Sequence, residues 1–225
     1  MAINLKSTGT LGGLYASILL YGQPGTGKTM SIRTLPQPVV LSAEGGLLSL
    51  QDSDTPYIEI GDYNQLAEAI QWLQSSAEAT PFQSVAVDSI SEIAEVILNE
   101  ERKITTDPRR MYPAYQDKCA EIIRTLRSIP KHLMMTAKAE KSPDEEGRVT
   151  FAPMMPGNKA AQSLPYFFDE VLALRVEKTE DGQIARAIQC MPDGTWTAKD
   201  RSGRLEHWEQ PDLCQLINKI TGQQQ

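Results

Sequence analysis

Gly22-Gln23-Pro24-Gly25-Thr26-Gly27-Lys28-Thr29 fills the pattern G-x-x-x-x-G-K-[ST] in full, and each position has a task in holding a phosphate chain. Glycines let the backbone wrap inward so that several N–H groups point at one anion. A helix beginning at Lys28 adds a partial positive charge at its N-terminus. Lys28 can reach the β- and γ-phosphates, and the Thr29 hydroxyl can ligate Mg2+. The binding stretch is taken through Met30. A glycine-rich turn that binds nothing is the bland alternative, and the complete pattern between a strand and a helix speaks against it.

Two acids extend this chemistry. Asp88 closes the apolar run Val85-Ala86-Val87-Asp88 and is followed by Ser89. An acid there supports the metal in phosphate-loop proteins, although it could equally cap the helix that follows. Hydrolysis further needs a group that orients or deprotonates water. Glu44, in Ser42-Ala43-Glu44-Gly45-Gly46 just past a second apolar strand, is the candidate. Ligands collect at the C-terminal ends of parallel strands, which puts Glu44 on one edge with Lys28 and Asp88. A solvated loop glutamate is the other reading.

The elements that must position these groups alternate. Tyr15–Tyr21, Pro38–Ser42, Phe82–Asp88 and His132–Ala137 read as buried strands. Helices are predicted over 28–35, ended by Pro36 and Pro38, behind a capping box at Asp62–Gln65, and on the faces Ile90/Ile93/Ala94/Ile97/Leu98 and Cys119/Ile122/Ile123/Leu126. Strand–helix alternation implies a parallel sheet covered on both faces. The last third differs. Val171–Val176 and Ile184–Ile188 flank a turn at Glu180-Asp181-Gly182, which predicts a hairpin. Thr195–Ala198 is a further strand candidate, and a final helix carries Leu213, Leu216, Ile217 and Ile220. The expected fold is α/β: a mainly parallel sheet flanked by helices, with antiparallel strands toward the C-terminus, in one domain spanning 1–225.

The 225 residues carry a formal charge of −7 and 40 % apolar residues, enough for a sizeable core. No run approaches the ~18 apolar residues of a membrane span, and the start at Met1–Lys6 lacks a signal-peptide layout. Cys119, Cys190 and Cys214 are read as free thiols of a reducing compartment. With two histidines, a structural zinc site is not expected. Gln223–Gln225 read as a frayed end.

The order phosphate loop, strand ending in Ala-Glu, then Val87-Asp88-Ser89 resembles the RecA/Rad-type recombinase core. More closely, the chain resembles the small phage ATP-binding proteins of the RecA-like single-strand-annealing group (Sak-type, AAA-family). Leu164-Pro165-Tyr166-Phe167-Phe168-Asp169-Glu170-Val171 and Ala198-Lys199-Asp200-Arg201-Ser202-Gly203 carry the more particular part of the likeness. The resemblance implies a P-loop NTPase with a RecA-like core and the cofactors ATP and Mg2+. It makes Lys28 and Glu44 catalytic, Glu44 as the group that activates water, and Thr29 and Asp88 the metal residues. It puts a polar γ-phosphate sensor at Thr136, where RecA has a glutamine. Lys199 and Arg201 resemble a cationic pair that reaches the nucleotide of the next subunit. About twenty residues precede the loop, so a ring or short oligomer is expected rather than a long filament.

The charge is uneven. Residues 101–141 hold ten basic and five acidic residues, a local +5, leaving −12 for the rest. A cationic segment in an acidic chain fits a groove for a phosphate backbone. Within it, Arg109-Arg110-Met111-Tyr112-Pro113-Ala114-Tyr115 mixes cations with aromatics that can stack on bases. It falls between two helices, where RecA-like proteins place their first DNA-binding loop; Glu140–Asn158 would be a second, long and mobile, with Asp144-Glu145-Glu146 in it. The function expected is an ATPase that binds single-stranded DNA and promotes annealing or strand exchange in the cytoplasm of a bacterial host. Single-stranded DNA, a single-strand-binding protein and further copies of the chain are its expected partners, with no membrane. A non-hydrolysing switch or loader for a protein partner, and a P-loop kinase, are the alternatives.

Overall fold

A computed structural model of the chain describes residues 15–144, 146–178 and 181–223. The start at Met1–Lys6, Glu145, Glu180 and the last two glutamines lie outside the described residues. β1 (Ser17–Gly22) leads through the glycine-rich turn into a one-turn helix, α1 (Lys28–Ser31). There follow β2 (Pro38–Ser42), β3 (Tyr57–Glu59), α2 (Tyr63–Ser75), β4 (Ser84–Asp88), α3 (Ile90–Ile104), α4 (Pro108–Ser128), β5 (His132–Pro143) and β6 (Val149–Pro153). α5 (Asn158–Ser163), β7 (Glu170–Lys178), β8 (Ile184–Gln189), β9 (Lys199–Asp200), β10 (Trp208–Glu209) and α6 (Leu213–Thr221) complete the order.

One sheet runs β10-β8-β7-β1-β5-β4-β2-β3, with β6 paired to β5 and β9 to β7. The pairs among β3, β2, β4, β5, β1 and β7 are parallel, while β8, β9, β10 and β6 join antiparallel. This is the expected α/β fold, a P-loop NTPase with a RecA-like core: one strand, β5, stands between the strand that enters the phosphate loop and the strand that ends in Asp88. Successive residues of β1 face opposite cores. Leu19 and Tyr21 pack with α2, α3 and α4, whereas Ile18 and Leu20 pack with Ile32, Leu35 and α6. All four are fully buried; each such side chain contributes about 1.5–3 kcal/mol, and this fixes the strand that carries the loop.

Several boundaries differ from expectation, for local reasons. The helix after the loop tightens into a 3-10 turn at Ile32–Thr34, and Leu35 is extended because Pro36 disfavours the helical conformation in the residue before it. Thr195–Ala198 forms a single bridge, Trp196 to Phe151, and the ladder to β7 begins at Lys199. β3, β9 and β10, of two or three residues each, carry no apolar alternation to announce them. Asp62 caps α2 as expected, accepting from the Gln65 N–H at 2.9 Å, and Gly222 ends α6 in the left-handed conformation at φ 71°. The three cysteines are free; burial pushes the Cys119 and Cys190 thiols up to about 12. Among the described residues, no helix is long and apolar enough to cross a membrane.

One buried carboxyl makes folding depend on pH. Glu170, at the start of β7, is fully buried and pairs in register with Asp200. Its Oε1 accepts from the Ser202 N–H at 3.2 Å. Burial, with Asp200 adding to it, pushes this carboxyl up from 4.5 to about 8. Between those values the folded chain holds a proton that the unfolded chain releases, so stability falls as pH rises through the window. Glu170→Gln keeps the shape and the hydrogen bond from Ser202 without the charge. At pH 8.5 it should melt several degrees above the parent, corresponding to ~1–2 kcal/mol, and the two should converge at pH 4.5. Equal melting curves at both pH values would remove Glu170 as the cause.

Candidate nucleotide site

The loop Gly22–Thr29 leaves the C-terminal edge of the sheet between β5 and β7. Gly22 admits no side chain, since a Cβ there would lie 2.6 Å from the Leu174 carbonyl oxygen and 2.9 Å from Thr26 Oγ1. Gly25 and Gly27 turn the chain with φ of 77° and 100°. The Thr26 hydroxyl donates to the Gln23 carbonyl at 2.9 Å and closes the turn around Pro24. Lys28 Nζ donates to the carbonyls of Gly22 at 2.9 Å and Gln23 at 3.1 Å, folded back over its own loop. Burial holds the Lys28 ammonium below its ordinary value, Glu44 and Asp88 pull it up, and Lys138 pushes it down. Met30 follows Thr29 in the first turn of α1.

Asp88 is buried at the end of β4. Its Oδ2 accepts from the Thr29 hydroxyl at 2.8 Å and its Oδ1 from the Thr136 hydroxyl at 2.5 Å. The capping role belongs to the next residue: the Ser89 side chain accepts from the Glu92 N–H at the start of α3. The Asp88 carboxylate is therefore directed at the loop, and with the Thr29 hydroxyl it makes a hard-oxygen pair that fits Mg2+. Thr136 does not stand where a γ-phosphate sensor was expected. β5 continues to Pro143, so Thr136 is fully buried inside the strand and orients Asp88 instead.

The side chain at the edge is Lys138, in register with Gly22. Its ammonium pairs with Glu92 and lies 3.8 Å from Glu44 Oε1; the hydrogen bond to Glu92 pulls its pKa up, with Glu44 adding to the same effect. Glu44 is anchored through its backbone, for the N–H groups of Ala43 and Glu44 both donate to the Asp88 carbonyl, at 2.9 and 3.2 Å. The structure thus brings Lys28, Thr29, Asp88 and Glu44 to one edge and adds Lys138 and Glu92, which the sequence reading passed over. Ser42, in register with Asp88, buries a hydroxyl with no hydrogen-bond partner among the described residues.

Lys199 and Arg201 lie at the opposite edge. β9 pairs with the first residues of β7, beside the start of β1, so neither side chain can serve this chain's own phosphates. The Lys199 ammonium is enclosed by the carbonyls of Pro165 and Phe168, at 2.7 and 2.5 Å. Lys199 therefore ties the 3-10 turn before β7 to β9. Arg201 pairs with Asp169 at 2.6 Å and stays largely exposed.

The segment 109–115 is not a loop. Asp107 caps α4 by accepting from the Arg109 N–H at 3.0 Å, Pro108 occupies the first turn, and Pro113 lies inside the helix. Arg109 and Arg110 are exposed and Tyr112 is partly buried. Tyr115 is fully buried against α3, so it offers no face for stacking. The second segment is also ordered: Ala139–Pro143 and Val149–Pro153 form a two-stranded arm. Its base is tied to α3, where the Ser91 hydroxyl donates to the Met154 carbonyl at 2.8 Å and accepts from the Lys138 N–H at 3.0 Å. The two segments meet where the Tyr112 ring packs on Gly157, 3.3 Å from where a Cβ would stand. Much of the +5 is paired with acids outside the segment: Arg102 with Glu95, Lys103 with Glu100, Arg127 with Asp169, and Lys138 with Glu92.

A family model described as AAA domain matches residues 14–202. No curated protein matches the chain. Among solved structures, the chain is similar to a KaiC-like protein from the hyperthermophilic archaeon Pyrococcus horikoshii OT3. The identity is 14 % over 77 % of each chain, with a TM-score of 0.45.

Proposed function

The chain belongs to the AAA domain family, and from that premise we propose that it is a phage-type recombination ATPase that binds single-stranded DNA and promotes annealing or strand exchange. The observation that carries the ATPase part is the meeting of Lys28, Thr29, Asp88 and Glu44 at one sheet edge. Lys28 exchanges its two loop carbonyls for phosphate oxygens. Thr29 and Asp88 would hold Mg2+, which supplies charge neutralisation on the phosphates. Glu44, its backbone fixed by Asp88, takes the proton of the attacking water. Lys138 divides its charge between Glu92, its tighter partner, and Glu44, which keeps the Glu44 carboxylate oriented without tying it up.

The DNA part is supported by the arm β5–β6 and the start of α4, which meet at Gly157 and Tyr112. Ser91 and Lys138 join this arm to the nucleotide edge, so phosphate loss at that edge has a covalent and hydrogen-bonded route to the arm. Arg109, Arg110 and Lys141 have no side-chain ion pair among the described residues and are exposed, which leaves them for a phosphate backbone. In an oligomer of one-domain copies, Arg201 at the far edge is the cation that can approach a neighbour's nucleotide.

Anisotropy of a labelled single-stranded oligonucleotide, titrated across salt, tests the DNA part. With a non-hydrolysable ATP analogue present the chain should bind. Replacing Arg109 and Arg110 by alanine should lower the slope of log K against log salt by ~1.5, near 0.7 for each lost phosphate contact. An unchanged slope with unchanged affinity would remove α4 from the interface.

A further inference from the structure

β7 continues past the point where β1 turns away. Tyr21 pairs with Ala173, and β1 then leaves the sheet into the phosphate loop, while β7 runs on to Lys178 and β8 returns beside it from Ile184. The outer half of this hairpin stands beside the loop, on the side away from β5. Leu174 and Ile188 are fully buried in the core that includes Ile32 and α6. Period-two alternation puts Val176, Ile184 and Arg186 on the same face as that pair, and Val176 is in register with Arg186. Val176 and Ile184 are 40 % and 75 % exposed. Arg186 is exposed too, and its stem crosses the loop: Nε and Cδ lie 3.5 and 3.6 Å from where a Cβ on Gly27 would stand. Among the described residues the Arg186 side chain has no hydrogen bond or ion pair. An unpaired guanidinium lying over Gly27 is placed to meet an anion held by the loop.

The sheet order gives that anion a direction. Asp88 and Lys138 belong to β4 and β5 and Glu44 follows β2, all on one side of β1, and Arg186 is on the other. A polyphosphate gripped by Gly25–Thr29 with its terminal group toward Asp88 runs its other end toward the hairpin. Resting on the ATP-binding reading above, we propose that the outer half of the β7–β8 hairpin is the nucleoside-side subsite. Arg186 pairs with the phosphate next to the ribose, and Val176 and Ile184 pack against the base.

Calorimetric titration of the whole chain with ATP, ADP and inorganic tripolyphosphate tests this. Arg186→Ala should weaken ATP and ADP by the same factor, ~10–100-fold, the effect of one charge-assisted contact. Ile184→Ser, at a position too exposed to disturb folding, should weaken ATP ~3–10-fold and leave tripolyphosphate, which has no base, as in the parent. Melting curves matching the parent's establish that both variants fold. Loss of ATP affinity alone in Arg186→Ala, or unchanged affinity for both nucleotides, would overturn the assignment, as would equal weakening of ATP and tripolyphosphate by Ile184→Ser. A parent chain that binds no ATP would instead overturn the functional reading itself.

Discussion

Glu44→Gln keeps nucleotide binding and loses turnover, by ~10²–10⁴-fold, the usual worth of a general base. Glutamine has the shape of glutamate but cannot accept a proton from water. No hydrogen bond in the loop uses the Glu44 carboxylate: Lys28 is held by the carbonyls of Gly22 and Gln23, and Thr29 by Asp88. The Glu44 backbone is fixed by the Asp88 carbonyl whatever its side chain. Removing a negative charge beside the polyphosphate should leave ATP affinity equal to the parent's or higher. Steady-state phosphate release together with a binding isotherm checks both halves. Loss of binding along with turnover would make Glu44 a structural residue, and undiminished turnover would pass the role of base to another group, Glu92 being the nearest carboxylate on the far side of Lys138.

Lys28→Ala should abolish binding of ATP and ADP alike, weakening each by at least ~10²-fold, since two charge-assisted hydrogen bonds of ~1.5–3 kcal/mol are lost from a partly buried site. The protein should still fold. Of the two carbonyls that lose their donor, that of exposed Gln23 stays open to water and only that of buried Gly22 is left short of a partner, while the strand beneath is fixed by Leu19, Leu20 and Tyr21, all fully buried. The melting temperature should therefore fall by no more than ~5 °C, the scale of one lost hydrogen bond in a chain of this size. A variant that retains nucleotide affinity would show that the full G-x-x-x-x-G-K-[ST] pattern has another purpose here.

The parts of the site that could be read from the sequence are those whose signal is local. The loop is contiguous, Asp88 ends an unbroken apolar strand, and Glu44 follows from the rule that parallel strands present their C-terminal ends together. Thr136 stands inside its strand rather than at its end because β5 leaves the sheet and continues as a polar two-stranded arm. Ala137–Pro143 shows no buried alternation, so the strand's true end, and with it Lys138 at the edge, left no mark in the apolar pattern. Tyr115 reads as a stacking group because 109–115 mixes aromatics with arginines between two apolar helical faces. Yet Met111, Tyr115, Cys119, Ile122 and Leu126 recur at three- and four-residue steps, and a proline in the first turn is compatible with a helix. The local charge of 101–141 is legible, but the pairing of Lys138 with Glu92 and of Arg127 with Asp169 depends on tertiary neighbours outside that stretch.

Phosphate release from ATP by the parent chain, with and without a single-stranded oligonucleotide and across salt, tests the central claim most directly. The account predicts turnover that rises with the oligonucleotide, declines toward the basal rate as salt weakens the DNA contact, and vanishes in Glu44→Gln at every salt concentration. Tight ATP binding with no turnover under any of these conditions would contradict it, and would make the chain a nucleotide-dependent switch.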